Sequence, residues 1–157
     1  MPDISHLGTI LTIAASNTSG GVPVPILHFP KDTDPVTSDD VTIGNFELGT
    51  NGDAIGWAEA MPTQIAVSVI PNTSSHIFMH QLFQQNKAEK GKRPANDVIT
   101  MNRVLPNGAV LSARKGKIIS GPAMLSQQSS GKLKTVTYTF MFGQVSETPP
   151  IFGVELL

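Results

Sequence analysis

Pro71-Asn72-Thr73-Ser74-Ser75-His76-Ile77-Phe78-Met79-His80-Gln81-Leu82-Phe83-Gln84-Gln85-Asn86-Lys87 decides how the rest of the chain is read. A strand-like run stops at the proline, and four residues come next whose side-chain oxygens can cap the free N–H groups of a first helical turn. Phe78 and Leu82 are four apart, as are Met79 and Phe83, so the spacing predicts one apolar face on a helix from Ser74 to Asn86. Gln81, Gln84, Gln85, Asn86 and Lys87 take the other side. The remaining chain reads as strand or loop. A lone amphipathic helix in a β-rich chain must bury its stripe on a sheet, so the fold is expected to be mainly β: an antiparallel β-sandwich or barrel with the one helix packed on it.

Outward from the helix, Ile65, Val67 and Val69 alternate with Gln64, Ala66 and Ser68, the period of a half-buried strand. Val136, Tyr138, Phe140 and Phe142 alternate with Thr135, Thr137, Thr139 and Met141; the first set faces the core, the second water or a neighbour. The expected core is therefore Ile65, Val67, Val69, Phe78, Leu82, Val136, Tyr138, Phe140 and Phe142. Pro106-Asn107-Gly108 between two apolar runs predicts a β-hairpin, because Asn-Gly tolerates positive φ. Lys117-Ile118-Ile119-Ser120 and Met124-Leu125 read as a further interrupted strand. Toward the N-terminus, Thr9 to Ala14 is β-prone, and Val22-Pro23-Val24-Pro25 is an edge or an extended arm. Lys31 to Asp40 reads as a surface loop. Val41-Thr42-Ile43 and Phe46-Glu47-Leu48 flank Gly44-Asn45 as a bulged strand or tight hairpin, and Gly49 to Asp53 is another turn.

The chain has 157 residues, 39% of them hydrophobic and 15% charged, which suits one domain with a proper core. No run approaches the length of a membrane span, and Met1-Pro2-Asp3 does not open a secretory signal. The absence of cysteine excludes disulfides and thiolate metal sites, and fits synthesis in a reducing cytoplasm. Net charge is −1, unevenly spread. Asp32, Asp34, Asp39, Asp40, Glu47 and Asp53 form an acidic segment; Lys87, Lys90, Lys92, Arg93, Arg103, Arg114, Lys115 and Lys117 form a basic one. Two such segments are either solvated faces or complementary patches of a head-to-tail contact. The basic stretch has no aromatic residue, unlike a sequence-specific nucleic-acid reader. The C-terminal stretch from Ile151 to Leu157 is apolar, as a segment docked on its own core or on another subunit would be.

Reaction chemistry is not visible. His76 and His80 have the spacing of two zinc ligands on a helix, but Ile77 stands where the zincin motif needs a glutamate, and no third ligand is near. Solvent-facing or structurally satisfied histidines are the expectation, with no metal and no cofactor. Asp39-Asp40 and the pair Asp32 and Asp34 are adjacent acids in a polar loop. The glycine-rich patches lack the Gly-Lys-Ser/Thr of a phosphate loop, and the serines lack a partnered histidine and acid. The chain is not expected to be an enzyme. A β-sandwich carbohydrate-binding module is the alternative from a different class; its aromatic platform would be Trp57, since Tyr138 reads as core.

Several elements then fall in a familiar order. Ser68-Val69-Ile70-Pro71 leads into the helix, which closes with Phe83-Gln84-Gln85-Asn86-Lys87. Gly91-Lys92-Arg93 precedes Asp97-Val98-Ile99-Thr100; Gly116-Lys117-Ile118-Ile119-Ser120-Gly121-Pro122 and Leu133 to Phe140 come after the hairpin. From Gln64 to Phe142 the chain resembles the tail tube-like proteins of contractile-tailed bacteriophages, the tube proper and the ring that starts it at the baseplate. The resemblance implies a small antiparallel β-sandwich or half-barrel with one flanking α-helix, as one tube-like domain over 1–157 with extended arms at 1–30 and 147–157. It implies a virion structural protein, made in the host cytoplasm, that forms a homo-oligomeric six-fold ring. That ring stacks on neighbouring tube or baseplate rings and lines a channel for DNA passage without sequence-specific binding or membrane contact. The first 60 residues carry no matching motif, and no uninterrupted long hairpin reaching the next ring is legible.

Overall fold

Alternation in the last long apolar run produces a continuous buried row: Val136, Tyr138, Phe140 and Phe142 are all enclosed. The computed structural model describes residues 9–30, 34–106 and 108–148. In chain order the elements are β1 Ile10–Ala15, β2 Val24–Ile26, β3 Val36–Ser38, β4 Gly44–Leu48, β5 Ala54–Ala58, β6 Thr63–Val69, α1 Ser74–Asn86, β7 Ile99–Val104, β8 Val110–Ser120 and β9 Val136–Thr148. Among the described residues, seven strands make one antiparallel sheet in the order β2-β1-β7-β8-β9-β6-β3, and β4 and β5 pair only with each other.

The sheet is rolled. β7 and β3 stand four places apart in the order, which in a flat sheet would separate them by roughly 19 Å. Met101 of β7 and Val36 of β3 nevertheless line one cavity. The two edge strands are also consecutive in sequence, and the chain between them leans on β6 and on the residue just beyond it. Ile70 N–H donates to the His28 carbonyl (2.9 Å) and Ser68 N–H to that of Pro35 (2.8 Å). Enclosing large rings inside so tight a curve needs gaps in the opposite wall. Gly121 supplies one: a Cβ there would lie 2.6 Å from the Tyr138 ring. Gly116, paired with Phe142 across β8 and β9, supplies the other.

α1 lies inside the curve, with Met79 and Leu82 wholly buried in the same cluster as Leu11, Ile13, Val67 and Phe140. Thr73 caps it, its Oγ1 accepting from His76 N–H at 3.3 Å and donating to the Ile70 carbonyl at 2.8 Å. Tyr138 sits beneath the helix, its ring 6.1 Å from Phe83 and 6.4 Å from His76. The helix therefore closes one end of a half-barrel. The buried stripe is Ser75, His76, Met79 and Leu82, with Phe78 and Phe83 only half-buried against it. This corrects the expectation for Phe78: the stripe is centred one step further round, because Ser75 and His76 are buried and a count of apolar residues cannot see them.

Several other readings change. Leu11, Ile13 and Ala15 of β1 are core, so the N-terminal segment to residue 30 is not an arm as far as it is described. β2, with Pro25, does lie at the sheet edge. The loop read over Lys31 to Asp40 contains β3, which completes the other edge. Val110 to Ser120 is a single strand, bent where Arg114 and Lys115 together oppose the single residue Thr100 of β7, with Lys115 at φ 55°; Met124 is an exposed loop residue. The hairpin between β7 and β8 is present, with Leu105 N–H donating to the Ala109 carbonyl at 2.9 Å. The segment 149–157 lies outside the described residues, and Thr148 still belongs to β9.

One buried carboxylate ties three parts together. Asp97, just before β7, accepts from Asn17 N–H (2.6 Å), Thr18 N–H (2.9 Å), the Thr18 hydroxyl and Asn86 Nδ2 (2.8 Å). Asp97 N–H in turn donates to Asn86 Oδ1 at 2.8 Å, so the turn after β1 and the end of α1 share an anchor. Burial pushes the carboxyl up, but the hydrogen bonds from Thr18, Asn86 and Asn17 together outweigh it and hold it below its ordinary value.

These contacts have consequences for stability. Leu82→Ala costs about 2–5 kcal/mol in urea unfolding, while Phe78→Ala, which removes a half-exposed ring, costs less. Asp97→Asn costs about 1–3 kcal/mol at pH 7 by leaving buried donors poorly matched. Because the folded carboxyl is the stronger acid, its contribution is present above the unfolded value near pH 4 and is lost as pH falls through the folded one. The gap between the native protein and Asp97→Asn therefore narrows in the acid range.

Candidate functional site

β3 and β6 pair as far as Ser38 opposite Ile65, and Asp39 N–H still reaches the Gln64 carbonyl at 3.1 Å. Beyond a short break, Glu59 N–H donates to the Ile43 carbonyl (3.0 Å), and the same two chain segments continue as β4 and β5. The result is a long interrupted hairpin leaving the body of the half-barrel at its β3 edge. Its turn is Gly49 to Asp53, closed by Gly49 N–H to the Asp53 carbonyl (2.7 Å), with Gly52 at φ 89°. The tight turn considered at Gly44-Asn45 is instead a straight part of β4.

Every residue of β4 and β5 is exposed. Opposed residues of an antiparallel pair share a face, so one face of this ribbon holds Phe46 over Gly56, Leu48 over Ala54, and Gly44 over Ala58. It carries no polar side chain. The other holds Trp57 beside Asn45 and Ile55 beside Glu47. Ile43 is 78% exposed and Phe46 70%. An isolated two-stranded ribbon is marginal in water, and apolar residues gathered in this way mark a contact surface rather than scattered surface hydrophobics.

Charges surround this element without forming an ion pair with it among the described residues. Asp34, Asp39, Asp40, Glu47 and Asp53 are exposed on or near the hairpin, and Asp32 lies outside the described residues. Lys90, Arg93, Arg114, Lys115 and Lys117 are exposed on the body. Among the described residues the ion pair formed is Lys87 with Glu89, at 3.2 Å. Trp57 donates from Nε1 to Glu59 Oε1 at 3.1 Å and stands on the ribbon, not in a cleft.

His76 and His80 are brought together, with ring centroids 5.6 Å apart. His76 is buried, and its Nδ1 accepts from Asn72 N–H at 3.1 Å; its Nε2 meets no partner among the described residues. His80 Nδ1 lies 3.2 Å from the Tyr138 hydroxyl, which burial pushes up to about 12 and so keeps protonated. Among the described residues no group of three His, Cys, Asp or Glu gathers as a metal site would require. The pair acts in packing the helix on Tyr138. The residues that sequence reasoning missed are Ile43, Phe46, Leu48 and Ile55; Asn51-Gly52 between two apolar runs was the available signal.

A family model described as tail fiber protein gp32 matches residues 2–146. No curated protein sequence matches the chain. Among solved structures, the fold is similar to that of the anti-feeding prophage tube terminating cap, with TM-score 0.57 and 13% identity over 94% of this chain and 92% of that one. A chain of the anti-feeding prophage baseplate, solved with six-fold symmetrisation, gives 0.56 and 11% over 99% of both. The sheath/tube terminator of the extracellular contractile injection system PVC gives 0.55 and 12%, over 95% of this chain and 99% of that one. At such identities the likeness is one of fold: the chain has a tail tube-like architecture.

The histidine geometry sets a pH response. Burial first, and His80 second, push His76 below its ordinary value, which favours its neutral form in the folded protein. The unfolded chain takes up a proton near pH 6.5, and stability therefore falls as pH drops from there through the folded value. Thermal unfolding between pH 7 and 5 shows this loss in the native protein, and His76→Phe removes the share due to His76.

Proposed function

The chain belongs to the tail fiber protein gp32 family, and on that footing we propose that it is a structural subunit of a phage-like contractile tail. It joins copies of itself into a six-fold ring of the tail tube or of the baseplate-proximal ring that starts the tube. Rings stack on neighbouring tube or baseplate rings, and the stack encloses a channel through which DNA passes without sequence-specific contact. The subunit is made in the host cytoplasm and ends in the virion. The observation that carries this reading is the β4–β5 ribbon: two short strands with no buried residue and one wholly apolar face are a stable element only against another subunit. Likeness of fold to a tube terminating cap and a baseplate chain supports it.

Unlike surfaces meeting head to tail close into rings or extend into stacks. Acidic residues on and around the hairpin and basic residues on the body set the orientation of that contact. Exposed ion pairs contribute only about 0–1 kcal/mol each, so the apolar ribbon supplies the affinity. No described helix is long and apolar enough to cross a membrane.

Negative-stain images and mass measurements of the purified protein test the reading, with rings or short tubes expected. Phe46→Asp raises the concentration needed for assembly by about 30-fold, the loss of roughly 2 kcal/mol at a contact hot spot, while its unfolding free energy shifts by about 0.5 kcal/mol or less. A strict monomer at high concentration that is also absent from purified virions would end the proposal.

A further inference from the structure

At the end of the half-barrel opposite α1, a cavity of about 180 Å³ opens between β3, β6 and the outer ends of β7, β8 and β9. Val36, Ile65, Met101, Leu111 and Val145 give it apolar walls. Arg103 enters it with Nε buried and without a hydrogen-bond partner among the described residues. A dry apolar cavity of ~150 Å³ holds one benzene ring, so this one is sized for a single aromatic side chain. A buried guanidinium nitrogen without an acceptor is costly, and a carboxylate is its best geometric match.

The same molecule presents that combination elsewhere. On the exposed ribbon Trp57 and Glu59 stand side by side, indole Nε1 on carboxylate at 3.1 Å. Trp57 and Glu59 are exposed, and the cavity is open among the described residues of the same chain. We propose that the cavity seats Trp57 of a second copy of this chain, with that copy's Glu59 reaching Arg103. The proposal rests on the assembly reading above and names its contact. Cavity and ribbon are different surfaces, so every subunit gives one and receives one. Of the aromatic residues on the ribbon only Trp57 has a carboxylate hydrogen-bonded to it, which is why it, and not Phe46, is the one seated.

The chain has no cysteine, so single thiols report the contact cleanly. Ala58→Cys and Val145→Cys, both at exposed positions, are purified separately, mixed, and treated with a short dimaleimide. A covalent pair between the two variants is expected, and it disappears when Trp57→Ser is added to the first. Glu59→Arg and Arg103→Glu each raise the assembly concentration about tenfold or more, and the double exchange recovers most of the loss. Rings that form without the 58–145 link, or that tolerate Trp57→Ser, overturn this contact and leave the assembly reading intact. No rings and no link overturn both. A link from Val145→Cys to Phe152→Cys within one chain, with none to Ala58→Cys, assigns the cavity to the chain's own C-terminal segment and overturns the proposal.

Discussion

Enclosing Tyr138, Phe140 and Phe142 in a single row is the constraint from which the rest of the architecture derives. Three large rings on one face of one strand demand cover along their whole length. One helix covers only the end near Tyr138. The sheet must supply the remainder by rolling until β3 and β7 approach each other, and glycines at 116 and 121 leave room for the rings within that curve. A barrel built in this way is closed at the helix and open at the far end.

Parts governed by a local periodicity are legible in the sequence alone. β6, α1, β9 and the β7–β8 turn all announce themselves through alternation, capping residues or Asn-Gly. Resemblance locates the tube-like order from Gln64 to Phe142, and the mainly β half-barrel with its one helix is the fold the chain adopts. β3 is invisible because three residues beside a proline and several acids carry no pattern; only pairing with β6 makes them a strand. β8 reads as two pieces because its bend at Arg114 and Lys115 breaks the alternation. The helix stripe is displaced by one step because a buried histidine and serine do not register as hydrophobic.

Less of the contact surface is legible. Apolar residues at Ile43, Phe46, Leu48, Ile55 and Trp57 have the alternation of a two-sided ribbon, yet the expectation of one core per chain assigns apolar residues inward. The ribbon points outward, so its pattern describes a core that one chain does not possess. Charge asymmetry is visible in the sequence, and its meaning depends on the same point: among the described residues the acidic and basic segments form no ion pair with each other.

β1 lies beside β7, pairing Ala14 with Thr100 and Ile10 with Val104, and through the anchor at Asp97 it also fixes the end of α1. Those partners are far apart in sequence, whereas β7, β8 and β9 are near neighbours. Contacts of long sequence separation are entropically expensive to close and form late. Until the N-terminal strand arrives, β7 presents an open edge with unpaired backbone groups, and Ile99 and Met101 lack their cover. The nascent subunit is therefore most prone to pairing with the wrong copy during this interval, and the order in which its strands dock governs how cleanly a pool of subunits matures.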